Sequence, residues 1–150
     1  MMLRIGKLSD YAILLMVELQ STRQGLLSAH SLSERAHLEL PTVSKLLKLL
    51  AHSGLVTSSR GINGGYRLAR AAAVINVVEI IAAIEGPIAM TECGVHSGLC
   101  IQESHCSMRS NWRRISAVIV GALEKISLAD IAQPTHKPGI TGLRIALENA

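Results

Sequence analysis

All three cysteines of this chain fall in one stretch, Thr91–Cys106, which reads TECGVHSGLCIQESHC. Six residues separate Cys93 from Cys100 and five separate Cys100 from Cys106, with Gly94 and Gly98 between them and no apolar period running through. That pattern predicts a loop rather than a helix. A loop that gathers three thiols can close round a metal centre, because thiolates are soft donors that suit zinc, copper(I) and iron–sulfur clusters. The spacing alone does not choose among the three. In a reducing compartment such thiols read as metal-binding or redox-active rather than as a disulfide framework. As small buried hydrophobes they would be poorly placed in so polar a loop. His96 and His105 lie in the same stretch, and an imidazole there would complete either a cluster or a Cys₃His zinc site. His30, His37, His52 and His136 have no ligand spacing and read as surface or cap residues, while Met90 and Met108, flanking the loop, read as packing.

A second chemistry is written in the charge. The net charge is +4, yet residues 1–76 carry nine Lys and Arg against four acids, and the remainder six against seven. A basic first half joined to a near-neutral second half points to a polyanion-binding module attached to something else.

The elements that must position these groups are mostly helical. With 49% hydrophobic residues, 2% aromatic and no Phe, the core of this 150-residue chain must be filled by Leu, Ile, Val and Ala. Ser9–Gln20 places Ala12, Leu15, Met16 and Leu19 on one helical face, with Ser9 as the expected N-cap and Asp10 in the first turn. Ser31–His37 reads as a short helix opened by a Ser31-x-x-Glu34 capping box. A second helix is expected over Pro41–Ser53, with Val43, Leu46, Leu47 and Leu50 buried and Gly54 as its stop. Its outward residues, Thr42, Ser44, Lys45 and Lys48, are hydroxyls and ammonium groups that reach phosphates and base edges. Together the two helices form a helix-turn-helix.

Leu55–Ser58 and Tyr66–Ala69 then read as two short strands joined by SRGINGG, whose Gly61, Asn63, Gly64 and Gly65 are hairpin-turn residues. A hairpin directly after a recognition helix is a wing, with Arg60 at its tip placed to enter a narrow A·T minor groove. Asn76 is positioned to cap a helix Val77–Glu85, ended by Gly86–Pro87. A long helix is expected over Asn111–Ile131, with Trp112, Ile115, Val118, Ile119, Leu123 and Ile126 as an apolar stripe that only a partner would cover. Beyond Pro134, THKPG reads as a linker and Gly142–Ala150 as a short helix or frayed tail. The start, MMLRIGKL, has no long apolar segment and no stretch reaches the ~18 uncharged apolar residues of a membrane span, so a cytoplasmic protein is expected. A fourth cysteine, a nucleotide loop and an acid–base constellation are all missing, which argues against an enzyme with a small-molecule substrate.

The helix-turn-helix spacing, the run SGLVTSSRGINGGYRLAR at Ser53–Arg70, the three-cysteine loop and the long helix together resemble the Rrf-two family of bacterial winged-helix regulators. The resemblance covers Leu3–Ala132 and is most specific at RGxxGGYxLAR, Arg60–Arg70; the opening LRIGKLSDYA also looks like the starts of regulators of sulfur-mobilisation assembly operons. It implies a mainly α fold with a small β-hairpin wing and a long C-terminal dimerisation helix. The domains would be a reader at 1–76, a linking helix and cysteine loop at 77–110, a dimerisation helix at 111–133 and a tail at 134–150. The implied partners are promoter DNA and a second copy of the chain. The residues matching DNA-contacting positions are Thr42, Ser44, Lys45, Lys48, Arg60, Gly64 and Tyr66. The implied cofactor is an iron–sulfur cluster, 2Fe–2S favoured over 4Fe–4S, held by Cys93, Cys100, Cys106 and a non-cysteine fourth ligand. Family members usually have five residues in the first gap where this chain has six, an insertion that the glycines can absorb. In some members an acidic residue near the N-terminus of the partner subunit is the fourth ligand, and Asp10 is the matching position. As a first-turn acid Asp10 also simply suits the helix dipole. The alternative family pattern, a histidine shortly after the third cysteine, is absent, since Ser107, Met108 and Arg109 follow.

Overall fold

The computed structural model describes residues 5–22, 25–91, 94, 98, 100–102 and 104–133. Its elements in order are α1 (Lys7–Ser21), α2 (Ala29–Ala36), α3 (Leu40–His52), β1 (Val56–Ser59), β2 (Gly65–Leu68), a 3-10 turn (Ala72–Val74), α4 (Val77–Glu85), α5 (Arg109–Glu124) and α6 (Leu128–Ala132). The expected linker after Pro134 and the helix Gly142–Ala150 lie outside the described residues.

The apolar face of α1 is the predicted one: Ala12, Leu15, Met16 and Leu19 are buried. Its start differs. Gly6 holds the N-cap position, and Ser9 is fully buried inside the first turn, its hydroxyl donating to the Glu85 carboxylate. Helix α2 begins two residues ahead of the expected Ser31 because Ser28 is its cap, in an extended conformation with its Oγ accepting from the Ser31 amide at 3.0 Å. The expected box partner, Glu34, instead faces His30 one turn earlier at 3.5 Å. The tight turn into α3 is made by His37, a left-handed residue at φ 53°.

In α3, Pro41 sits in the first turn, and Val43, Leu46, Leu47 and Leu50 are fully buried. Removing each of these side chains from water contributes about 1.5–3 kcal/mol, which fixes the helix and with it the rotation of its polar face. Gly54, at φ 72°, turns the chain out of the helix as expected. The hairpin pairs antiparallel from Val56↔Leu68 to Ser59↔Gly65, and Tyr66 adds a bridge to Leu27 on its other edge. Gly65 must be glycine there, since a Cβ would lie 2.7 Å from the Leu27 carbonyl oxygen.

The predicted Asn76 cap is present as a full capping box with Glu79. The long helix expected over Asn111–Ile131 is instead two helices. Helix α5 ends at Glu124, and Ser127 starts α6 with a second capping box, its Oγ accepting from the Asp130 amide. The Ser127 hydroxyl and amide both donate to the Asp130 carboxylate, which holds its pKa below the usual carboxylate range. The break is forced by the core: Leu128 is fully buried with α1, α3 and Ile80 of α4, and a continuous helix could not carry it there. Ile126 therefore lies off the helix, its carbonyl accepting from the Val77 amide at 3.0 Å, while the Leu128 amide donates to the Ile75 carbonyl at 2.8 Å.

Candidate nucleic-acid interface and cysteine loop

Helix α3, the candidate reading helix, buries its apolar face and leaves its polar side open. Arg35 of α2 donates through Nε to Glu18 at 2.9 Å and through Nη2 to the Ser21 hydroxyl at 3.0 Å, tying α2 to α1. On α3, Lys45 and Lys48 are exposed and Thr42 and Ser44 half-buried. Among the described residues Glu18 pairs with Arg35 and Glu79 with Arg70, and Glu34 faces His30, while no acid pairs with Lys45, Lys48 or Arg60. The wing tip, Arg60–Gly64, closes by a hydrogen bond from the Gly64 amide to the Gly61 carbonyl at 3.0 Å. A Cβ on Gly64 would lie 2.3 Å from the Ser59 carbonyl oxygen, so its smallness is what lets the tip close. Tyr66 packs partly against the core and exchanges two backbone hydrogen bonds with Leu27, which holds the wing to the body.

In the cysteine stretch, Cys93 and His96 lie outside the described residues. Cys100 and Cys106 are free, half-buried thiols, and His105 is exposed. Gly98, Ile101, Gln102, Ser104 and His105 lie in turns, but Gly94 is helical, a correction to the uninterrupted loop expected here. Its amide donates to the Thr91 carbonyl at 2.9 Å. Gly94 also packs close, its Cβ position 3.0 Å from the Ala89 side chain and 3.7 Å from the Ser116 hydroxyl. Among the described residues, which leave out Cys93, no three metal-ligating side chains are grouped. Asp10 is exposed in the first turn of α1, on a surface groove shared with Ile5, Lys7 and Ile13.

Two hydrogen-bonded clamps that sequence reasoning missed tie down the segment that runs from the end of α4 to Met90. Glu85, the last residue of α4, accepts from the Gly6 amide at 2.9 Å and from the Ser9 hydroxyl, supplying from across the fold the cap that α1 lacks locally. Buried Ser116 of α5 accepts from the Met90 amide at 3.1 Å. Neither had a local signal, because the Glu85 partners stand 76 and 79 residues away. Glu85→Ala leaves a buried hydroxyl without an acceptor and is expected to lower stability by about 1–3 kcal/mol. Ser9→Ala removes the hydroxyl itself and should cost less; urea midpoints of the two variants check the order.

Helix α5 carries the predicted stripe in an exposed state. Trp112, Ile119 and Leu123 are half-buried, whereas Ile115 and Val118 are 40% and 68% exposed. Met108, Asn111, Arg114, Ile115, Val118 and Ile119 line an open trough along it.

A helix-turn-helix with uncommitted cations on its second helix, a wing beside it and an apolar helical arm define a winged-helix DNA-binding regulator. The chain belongs to the Rrf2 (Rrf-two) family, described as iron-dependent transcriptional regulators, which it matches over residues 5–134. It is 32% identical over 132 residues to an HTH-type regulator of Neisseria meningitidis. To the HTH-type transcriptional regulator IscR of Photorhabdus laumondii it is 32% identical over 141 residues, covering 93% of this chain and 85% of that one. Among solved structures it is similar to CymR, the global cysteine regulator of B. subtilis, with a TM-score of 0.70 at 29% identity over 87% of this chain and 97% of that one. It is also similar to T. potens IscR, with a TM-score of 0.65 at 30% identity over 86% and 85%. The family is one of transcriptional regulators, not enzymes. Among the described residues no helix is long and apolar enough to cross a membrane.

Proposed function

We propose that this chain is a homodimeric regulator that binds promoter DNA through α3 and the wing and adjusts that binding to iron–sulfur cluster status, controlling genes of cluster assembly. Residues 1–76 read DNA, 77–110 sense, 111–133 dimerise and 134–150 form a tail. The residues that would hold the cluster are Cys93, Cys100 and Cys106, with the partner subunit's Asp10 as the fourth ligand and His96 or His105 as its competitors. The donor set fits, since Cys100 and Cys106 are free thiols among backbone turns, where no helix or strand must break to turn them toward a metal. A bound 2Fe–2S or 4Fe–4S centre supplies a thiolate-linked core whose charge and presence follow iron and oxidants.

The observation that carries this reading is the place of the cysteine stretch, between α4, which packs on the reading domain, and α5, which bears the exposed stripe. Ordering the stretch fixes how those helices meet and hence the separation of two recognition helices, which must match half-sites about one turn of DNA apart. A coupling of ~1–3 kcal/mol changes occupancy roughly 5–150-fold.

Anaerobic purification with iron and sulfide analysis, followed by anisotropy titration of holo and stripped protein on one promoter duplex at one salt concentration, tests the proposal. Iron and sulfide in the protein and an affinity change in that range are expected. Zinc without sulfide, or no metal and a thiol-dependent affinity, would establish instead a winged-helix repressor with a structural zinc or a thiol switch at the loop. Equal affinities of holo and stripped protein would remove the sensor.

A further inference from the structure

The tip of the wing carries an apolar residue that nothing among the described residues covers. Ile62 is 105% exposed, more open than any other large hydrophobic among the described residues. Its exposure is built in by the turn. Gly61 at φ 113° and Gly65 at φ 156° set the chain in conformations that side chains resist. Gly64 closes against the Ser59 and Gly61 carbonyls, where a Cβ would lie 2.3 and 2.9 Å away. The tip is thus a closed turn that holds the isoleucine away from the hairpin rather than letting it fold back. A β-branched side chain is also stiff about χ1, so presenting it to a partner costs little entropy.

The chemistry around it selects the occupant. Arg60, two residues earlier, carries no acid partner among the described residues, and Arg67 on β2 is exposed with its Nε 3.4 Å from the Thr57 hydroxyl. A protein partner matched to one isoleucine would need an apolar surround that this tip lacks. DNA offers what the tip presents, phosphates for the cations and, in the minor groove, deoxyribose walls for an aliphatic group. We propose that Ile62 is a DNA-contacting residue that packs against the sugar walls of the minor groove while Arg60 enters beside it. This rests on the proposed DNA-binding role of the wing and adds to it an apolar, salt-independent share of the affinity.

Full-length protein and Ile62→Ala, Ile62→Leu and Arg60→Ala variants, titrated at several salt concentrations on a duplex that the wild-type protein selects from a random-sequence pool, test it. Ile62→Ala should weaken binding about tenfold, the factor that ~1.4 kcal/mol of apolar contact supplies. Its slope of log affinity against log salt should equal that of the wild type, and Ile62→Leu should recover most of the loss. Arg60→Ala should weaken binding and lower the slope by about one. Because the Ile62 side chain is fully exposed, its variants should melt with the wild type. If Arg60→Ala weakens binding and Ile62→Ala does not, the isoleucine contact is overturned and the wing keeps its role. If neither variant changes affinity, the wing does not contact DNA and both ideas fall.

Discussion

On the proposed ligand set, alanine at Cys93, Cys100 or Cys106, one at a time, is expected to yield protein that retains no cluster iron through anaerobic purification and binds DNA with one affinity whatever its iron supply. With three thiolates and one weaker donor, a cluster has no ligand in reserve, so losing a single thiolate removes the site rather than loosening it. The fold should survive the change. Cys100 and Cys106 are half-buried and lie outside the core, which is drawn from α1–α4, Leu55, β1, Ile75 and Leu128. Iron and sulfide per chain, the visible spectrum and a sedimentation run on the same sample separate the outcomes. Full iron content in any of the three variants would take that cysteine out of the ligand set. Iron-free variants that keep the affinities of holo protein would show a cluster without a regulatory role. Asp10→Ala adds the finer reading, since a changed spectrum or shorter cluster lifetime is expected only if its carboxylate is the fourth ligand.

The dimer proposed to form through α5 is expected to dissociate into monomers in both Val118→Asp and Ile119→Asp. Val118 is 68% exposed in the single chain, so an aspartate there has nothing to disrupt inside the protomer. Against a partner's stripe it would bury an unpaired carboxylate at a cost of several kcal/mol. Operator affinity should fall by about a hundredfold or more, because two half-sites joined in one molecule bind with an effective concentration that separate monomers lack. Sedimentation at micromolar concentration and titration on full and half operators check both parts. An unchanged dimer in both variants would place the interface elsewhere.

How much of this was legible in the sequence follows the range of the forces involved. Local signals read well. Asn76 with Glu79 is a complete capping box. The glycines of SRGINGG gave the wing to within a residue at each strand, and the α3 stripe Val43, Leu46, Leu47, Leu50 is buried as its period demanded. Competing local signals read poorly. Ser28 and Ser31 both suit a helix start, and the extended backbone at Ser28 decided between them. The break after Glu124 was written as Ser127-x-x-Asp130, but the apolar period running through it hid the new start. Long-range pairings left no mark: nothing near Ser9 announces Glu85, and nothing near Met90 announces Ser116. At the site, residue types sufficed to nominate the thiols and the cations. The placing of the cations depends on packing across α1–α4 and the hairpin, and that of the thiols, in the proposed dimer, on how α4 and α5 meet, none of which one-dimensional spacing encodes.

The return of the chain at Ile126–Leu128 also fixes the order in which the protein can be made. Leu128 belongs to the same core as Ala12 and Leu15, more than a hundred residues earlier, and its amide is bonded to Ile75. Until synthesis passes that point, the pocket that Leu128 fills stands open to water, and a chain emerging at about 5–20 residues per second carries it so for several seconds. The ribosome tunnel therefore releases the cysteine stretch and α5 before the core that supports α3 can close.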